Sequence, residues 1–505
     1  MKEIIDYLLL KDRFQWSQAT EDAADHLHKT ISKVIVHGSS RVIKLQKGDI
    51  SEAYGFMPPQ PWGIRSAEAS FHSDSNLIFL LKSSSAPLMV ATNSKACQGR
   101  FRIQRNLGPA AEPSFVMHNS PQTLTEIIAY SSRTPNIHGV LTKCSSKRIN
   151  NIDCRGRLEL HNSQTTVLNL THSEHLKLTS TNLDKCTLHV DIKTETDSKF
   201  SILEYIFNDL SKNTKTEIWL CAHLCHPRPG ANDNASGIAA MLEIIKRLET
   251  LPKSSLENIP TVKIIISPEF TGMAQYLKKA KRLPSLVINI DTIGGNQIAA
   301  GKNLTLELPP SFIRSQLLDR FVEHIKSAIH ATPEFDLSIS YFKGYSDHAL
   351  FAANCFEVPA VMLAQENDIF NHTDQDTVDK LDFSRIKRVA DAVFSFITSA
   401  NLSKSEERRR LVPRQPHAYE LPFNYFKLLE MTDRNDLDFI KSSFQKNKAT
   451  FALLQYAWIL KGKNFSQEEI KKRIPKIENS EQEQVATRLI SIIDKTMPGR
   501  QRNAI

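Results

Sequence analysis

The sequence lacks long apolar runs, internal repeats and low-complexity tracts. Unbroken apolar stretches such as Ile218–Ala222 and Ala360–Ala364 are far shorter than the ~20 residues of a membrane helix, so a membrane span is not expected. No small-residue cleavage site follows the short apolar patch in residues 1–13, which argues against a secretory signal peptide. With 505 residues, the chain is long enough for two to four domains.

The cysteines do not form a disulfide pattern. There are seven of them, an odd number, and their spacing is scattered. This pattern is typical of reduced thiols and predicts a cytoplasmic protein. Cys221 and Cys225 form a C-x3-C pair, but no second pair completes a four-cysteine zinc site.

The charge is positive and uneven. The formal net charge is +9, and residues 401–505 hold 20 Lys and Arg against 13 Asp and Glu. The best candidate for a nucleic-acid-binding helix, Lys471–Arg473, follows Glu468-Glu469-Ile470, whose two acids dilute its charge, so a polar helix face is favoured over a nucleic-acid site. We predict no membrane or nucleic-acid partner, and leave open a protein partner or self-association through the C-terminal part.

Four regions differ in pattern. Residues 1–70 begin with a predicted helix, Ser17–Lys33, and residues 71–200 alternate short β-like runs with turns. Residues 201–402 alternate apolar strands with amphipathic helices, and residues 403–505 open with a charged linker and continue as short helices. We therefore predict an N-terminal part of the core, a β-rich inserted domain, a catalytic core, and a C-terminal helical or winged-helix domain.

The core pattern predicts an α/β fold with a mostly parallel central sheet covered by helices on both faces. The predicted strands are Glu217–Ala222, Val262–Ser267, Leu286–Asp291 and Pro359–Leu363. The predicted helices are Ser236–Leu248, Met273–Ala280, Ser311–Ile329 and Phe383–Ser399.

Polar side chains follow the ends of these four strands, where open parallel sheets collect functional groups. They are His223, Asp233, Glu269, Asp291 and His372. Imidazole and carboxylate ligands suit zinc, and a carboxylate that is not a ligand can take a proton from a metal-activated water. Each residue alone has an ordinary explanation, for example Asp233 as a helix cap, but their coincidence on one sheet edge favours a metal site.

The segments that carry these residues resemble the zinc-dependent exopeptidase family of co-catalytic aminopeptidases. The matching segments are the strand ending in His223, D-N-A-S-G around Asp233, N-I-D-T-I-G around Asp291, H-T-D-Q-D-T from His372, and Y-S-D-H-A-L-F from Tyr345. The H-x-C-H-P and A-N-D-N-x-S-G motifs are similar to those of a bacterial subgroup with a β-rich insertion and a C-terminal winged-helix-like domain. The stretch Pro61–Ala67 resembles its N-terminal signature.

The resemblance implies specific roles. Glu269 becomes the general base, and His223, Asp233, Asp291 and His372 become ligands of one or two zinc ions. A substrate pocket is implied at Asn234, Tyr345, Asp347 and His348.

Two residues depart from the family pattern. Cys225 stands where an Asp would orient the first histidine ligand, and Phe270 stands where a second Glu would bind metal. Cys225 or His226 is therefore an additional candidate ligand or a neighbour of the metal site.

The function expected is metal-dependent hydrolysis of a peptide or amide bond, in the manner of an aminopeptidase. Two alternatives remain open: metal-assisted acyl transfer or cyclisation in a biosynthetic pathway, and a catalytically weakened binding protein that uses its C-terminal domain.

Overall fold

In the computed structural model, the described residues are 1–59, 63–73, 76–81, 95–118, 124–143, 145–149, 151–158, 165–181, 185–193, 197–208, 216–227, 229–296, 304–330, 337–366, 368–399, 402, 410–447, 449–474 and 480–497. Residues 61 and 62 of the N-terminal signature and 403–409 of the predicted linker lie outside these ranges. One of the β-like runs that the pattern predicts in residues 71–200, at 88–92, also lies outside them.

The strands, in chain order, are Gly38–Leu45 (β1), Gly63–Ser73 (β2), Asn76–Leu81 (β3), Cys97–Gln104 (β4), Ser114–Met117 (β5), Ile137–Thr142 (β6), Lys147–Ile149 (β7), Ile152–Cys154 (β8), Thr166–Asn169 (β9), Lys185–Lys193 (β10), Phe200–Phe207 (β11), Glu217–His223 (β12), Thr261–Ser267 (β13), Leu286–Ile290 (β14), Leu304–Glu307 (β15), Leu337–Ser340 (β16) and Ala360–Gln365 (β17).

The α-helices are Lys2–Leu8, Gln18–Ser32, Leu124–Arg133, His172–Ser180, Gly237–Glu249, Thr271–Lys279, Gln316–His330, His348–Phe351, Phe383–Ile397, Tyr425–Met431, Arg434–Lys446, Ala449–Gly462, Gln467–Arg473 and Ser480–Thr496.

The core is one eight-stranded sheet in the order β1-β11-β13-β12-β14-β17-β15-β16. Its four central strands, β13, β12, β14 and β17, are parallel, whereas β1, β11 and β15 each pair with a neighbour in the antiparallel sense. Every residue of β12 is buried, because helices cover both faces of the sheet and leave no polar face for solvent. The predicted α/β fold with a mostly parallel central sheet is confirmed.

A second sheet is built from the chain between β1 and β11, in the order β3-β2-β10-β4-β5-β6-β9. The same region contains helix Leu124–Arg133, where the sequence pattern also favours a helix (Gln122–Ser131), and helix His172–Ser180, which was not predicted; β4, β5, β6 and β9 pair in parallel. Strand β2 crosses the predicted boundary at residue 70. The division into four domains stays a prediction.

The C-terminal helices pack on the core through an apolar cluster that includes Phe342 and Ala352 on one side and Leu454 and Trp458 on the other. The amide of Gln455 donates hydrogen bonds to the carbonyls of Lys343 (2.8 Å) and Gly344 (2.6 Å). Within 410–447, 449–474 and 480–497 the structure contains helices and no strand, so these residues supply no β-wing.

None of the helices in the described part of the chain is long and apolar enough to cross a membrane.

Candidate metal centre

The carboxyl ends of the parallel strands bring all five predicted site residues to one edge of the core sheet. His223 is the last residue of β12, Glu269 follows β13, Asp291 follows β14, and His372 follows β17. Asp233 lies in the turn that precedes helix Gly237–Glu249. Since these strands are parallel neighbours, the loops that follow them converge.

The first group of potential ligands is His223, Asp233 and Asp291. His223 Nε2 lies 2.8 Å from Asp233 Oδ1 and 3.4 Å from Asp291 Oδ1. The Ser346 hydroxyl donates to Asp291 Oδ2 (2.8 Å), and the buried Oδ1 atom of Asp291 makes no hydrogen bond with described residues. One oxygen of Asp291 is therefore held in place while the other faces the histidine.

The second group is His226, Asp233 and His372. Asp233 Oδ2 lies 3.3 Å from His226 Nε2 and 3.0 Å from His372 Nε2. The His226 Nδ1–H donates to the Pro227 carbonyl, which leaves the lone pair on Nε2. This Nε2 atom is buried and makes no hydrogen bond within the described part of the chain. Asp233 therefore turns one carboxylate oxygen to each group.

Phe270, which stands in the place of a ligating Glu, is partly buried and packs against apolar residues of the core. Its ring stacks on Phe56 with centroids 5.7 Å apart and an interplanar angle of 6°. His226, from the loop after the adjacent strand, stands beside Asp233 instead. The second ligand group thus contains His226, whereas the family pattern has a second Glu as a metal ligand.

Cys225 is placed beside both ligand groups but belongs to neither. Its carbonyl accepts the Nδ1–H of His223 (2.9 Å), so a backbone oxygen orients this imidazole where the family uses a carboxylate. Its thiol sulfur accepts the backbone N–H of Glu269 (3.2 Å). The side chain therefore positions the residue predicted to be the general base.

Asp233 is held by its own turn and by Asp376. The Asp376 carboxylate accepts the backbone N–H groups of Asn232 (2.7 Å) and Asp233 (3.1 Å). The Asn232 side-chain oxygen accepts the N–H of Gly294 (2.7 Å), which ties the turn to the loop after β14. The backbone of the turn that carries Asp233 is therefore held relative to the sheet edge.

The electrostatics of the cluster favour a bound cation. Burial alone would lower the pKa of His223, but the charges of Asp291 and Glu269 outweigh it and raise this pKa well above its usual value. Burial raises the pKa of Asp233, yet the three histidines outweigh it and hold that pKa well below the ordinary range. Burial lowers the pKa of His226 to about 4, so its imidazole is neutral and able to bind metal at neutral pH.

Glu269 has the electrostatics of a proton carrier. Burial raises its pKa to about 7, His223 opposes the rise, and the carboxylates of Asp291 and Asp233 add to it. Asp347, whose carboxylate accepts the N–H of Phe270 (2.5 Å), also has a pKa raised to about 7 by burial and by the charge of Glu269.

Three of the four predicted pocket residues are buried. Asn234 donates its side-chain N–H to the Ile290 carbonyl (3.0 Å), and the fully buried His348 pairs with the side chain of Glu307 (2.7 Å). Asp347 is also fully buried, and its carboxylate accepts the backbone N–H of Phe270. Tyr345 is 40% exposed. The substrate pocket stays a prediction.

Sequence analysis missed Arg13, Arg157, Ser346 and Asp376. Ser346 and Asp376 lie in quoted motifs, the segments that begin with Tyr345 and with His372. Arg157, between β8 and β9 of the second-sheet region, donates its backbone N–H to the His372 carbonyl (2.7 Å), and its charge lowers the pKa of Glu269. Arg13 and Arg157 are far from the ligands in sequence, so no local pattern could have indicated them.

The comparisons with known proteins agree with this geometry. Residues 206–397 match the model of peptidase family M28. Over 187 residues, the chain is 27% identical to "Probable leucine aminopeptidase 1" of Trichophyton verrucosum, a match that covers 34% of this chain and 48% of the relative. The chain therefore spans about half the length of this curated relative.

Two solved structures have a similar fold. A zinc aminopeptidase from Bacillus subtilis has a TM-score of 0.53 at 15% identity, covering 82% of this chain and 98% of that one. A protein from Clostridium acetobutylicum described as a candidate peptidase has a TM-score of 0.55 at 16% identity, covering 78% of both chains. The resemblance to the zinc-dependent exopeptidases is confirmed, and at these identities the solved structures establish the fold.

Proposed function

We propose that this protein is a metal-dependent hydrolase that cleaves a peptide or amide bond next to a free amino terminus. The observation that carries this proposal is the pair of ligand groups that share Asp233, each completed by two further side chains. The match to peptidase family M28 and the relative named as a leucine aminopeptidase support the same reaction and a peptide substrate.

The donor atoms suit two zinc ions. Each group combines imidazole nitrogen with carboxylate oxygen, and all ligand atoms within a group lie within 4.8 Å of one another. Two buried acceptors, His226 Nε2 and Asp291 Oδ1, make no hydrogen bond with described residues, which is costly unless a cation satisfies them. We propose that His223 and Asp291 would hold one ion and His226 and His372 the other, with Asp233 contributing a carboxylate oxygen to each group.

When bound, such ions polarise the scissile carbonyl and make a water a stronger nucleophile at neutral pH. Glu269 accepts the proton of the attacking water and delivers it to the nitrogen of the leaving amine, for which a carboxyl pKa near 7 is well matched. The Cys225 sulfur and the Asp347 carboxylate bond the backbone N–H groups of Glu269 and Phe270, so the carboxyl keeps its position through both transfers.

The test is metal content together with hydrolysis of leucine p-nitroanilide, with and without added zinc. We expect two zinc ions per wild-type chain, and one in both His226→Gln and His372→Ala. Glu269→Gln should keep both ions and lose activity by about 10²–10⁴-fold. Glu468→Gln, at a side chain 74% exposed on a C-terminal helix, is the matched control and should behave as wild type. Absence of zinc uptake by the wild type would refute the proposal.

The remaining assignments stay proposals. A cytoplasmic location rests on the cysteine pattern, and a winged-helix identity of the C-terminal part rests on the subgroup resemblance. The same holds for a protein partner or self-association through the C-terminal helices.

A further inference from the structure

An N-terminal segment, Lys11–Gln15, passes beside the loop that carries His226. The backbone N–H of Arg13 donates to the His226 carbonyl (3.0 Å), and the two residues form an isolated antiparallel bridge. The Nε–H of the Arg13 side chain donates to the Leu224 carbonyl (2.8 Å). One residue therefore bonds the loop on both sides of Cys225.

The Arg13 side chain is buried, and acidic groups act on its charge. It is 1% exposed, and its two terminal nitrogens make no hydrogen bond with residues in the described part of the chain. The groups whose charges act on it are Cys225, Asp12, Asp233 and Asp376. Burial lowers its pKa to about 10, so the guanidinium is still charged at neutral pH and interacts electrostatically with Asp233.

The same segment reaches the other side of the site. The hydroxyl of Thr271, two residues after Glu269, donates to Gln15 Oε1 (2.8 Å). Segment Lys11–Gln15 thus bonds both the loop after β12 and the turn after β13. These are the places of the two departures from the family pattern, Cys225-His226 and Phe270.

His226 needs such support more than His223 does. His223 ends a strand with ladder partners on both sides, whereas His226 lies three residues beyond it in a loop. Its ring packs against Gly230, whose φ of +69° and closeness to the imidazole leave no space for a Cβ atom. The backbone of His226 is fixed by Arg13 rather than by the sheet.

We propose that Arg13 is a positioning residue that holds His226 as a ligand of the second metal ion. The inference rests on the proposed two-metal function. It adds that Arg13 fixes His226, a histidine in a loop, so that it can bind metal in place of the missing Glu. Residues that orient metal ligands commonly change metal affinity by about 10–100-fold when they are replaced.

The experiment is a titration of the metal-free full chain with Zn²⁺ against a competing chelator, for the wild type, Arg13→Lys, Arg13→Gln and His226→Gln. We define the second site as the zinc-binding site that the wild type has and His226→Gln lacks. We expect Arg13→Lys, which keeps the charge and loses the Nε bond, to weaken the second site about 10-fold, and Arg13→Gln to weaken it about 100-fold. In Arg13→Lys, which keeps the charge that acts on Asp233, affinity at the first site should change by less than 2-fold.

The double variant Arg13→Gln/His226→Gln tests whether Arg13 acts through His226. It should bind zinc as His226→Gln does, because the effects of two residues that act on one interaction are not additive. Arg13→Lys keeps the test usable if Arg13→Gln does not fold. Equal weakening of both sites, additive effects, or unchanged second-site affinity in Arg13→Lys and Arg13→Gln would each overturn the inference. A wild type that binds fewer than two ions would instead overturn the two-metal proposal, and this inference with it.

Discussion

Replacing Glu269 by Gln should remove the proton carrier and leave the metal centre in place. Glutamine has the shape of glutamate but cannot accept a proton at neutral pH. The bonds that fix this position use backbone N–H groups, those of Glu269 and Phe270, which the substitution does not alter. Both ligand groups consist of other residues. The expected change is therefore in catalysis and not in metal content.

A positioned general base contributes about 10²–10⁴-fold to a rate, which corresponds to about 3–5 kcal/mol of activation free energy. The base must be ionised, so kcat/KM should rise with pH and level off above the pKa of Glu269. Burial sets that pKa at about 7 in the metal-free protein, and bound cations favour the ionised form and lower it. The acidic limb of the profile should therefore lie at or below pH 7.

The assay is kcat/KM for leucine p-nitroanilide between pH 5 and 8, with metal content measured on the same samples. Wild type should show the acidic limb, and Glu269→Gln should show a low rate without it. If the variant retains both ions and the same limb, another group accepts the proton and the role assigned to Glu269 is wrong.

Three further changes test the surroundings of the site. Cys225→Ala should retain both zinc ions, because the carbonyl of Cys225 and not its thiol orients His223. It should lower the free energy of unfolding in urea by about 1 kcal/mol, because the hydrogen bond between the thiol and the Glu269 backbone is lost. Loss of a zinc ion would contradict this prediction. Gly344→Ala should lower the free energy of unfolding by more than about 1 kcal/mol, because φ is +72° and a Cβ would collide with a glutamine of the C-terminal helices. Gly48→Ala is its control, because a Cβ at that position meets nothing within 4 Å. Equal melting temperatures of Gly344→Ala and Gly48→Ala would refute the clash. Arg157→Gln removes a positive charge that lowers the pKa of Glu269, so the acidic limb should move to higher pH; an unmoved limb would show that this charge does not act on the base.

The core and the first ligand group could be predicted from sequence because local patterns carry them. Buried parallel strands are continuous apolar runs; His223 ends one, Asp291 directly follows another, and Asp233 lies ten residues beyond the first, just before a helix. The short helix His172–Ser180 was missed because it buries only His175 and Leu178. Its capping box, Thr171 with Glu174, was a usable signal.

The contacts that complete the site could not be predicted in this way. Arg13 is 213 residues from His226, and Arg157 is 215 residues from His372, yet each donates its backbone N–H to the carbonyl of that ligand residue. A backbone hydrogen bond places no requirement on the side chain of either partner, so such pairing leaves no local trace in the sequence. The pairing of distant segments is a property of the folded chain.

In the proposed two-metal centre, His226 would compensate for Phe270 in a way that follows from the sheet. Strands β12 and β13 are parallel neighbours with His223 opposite Ser267, so the loops after them cover the same edge. A ligand for the second metal can come from either loop; His226 lies beside Asp233, whereas the ring of Phe270 stacks on Phe56. The exchange replaces a carboxylate by a neutral imidazole and leaves the second site with one negative charge fewer. A divalent ion should therefore be bound less tightly there than at His223 and Asp291, and stepwise removal by a chelator should empty the second site first.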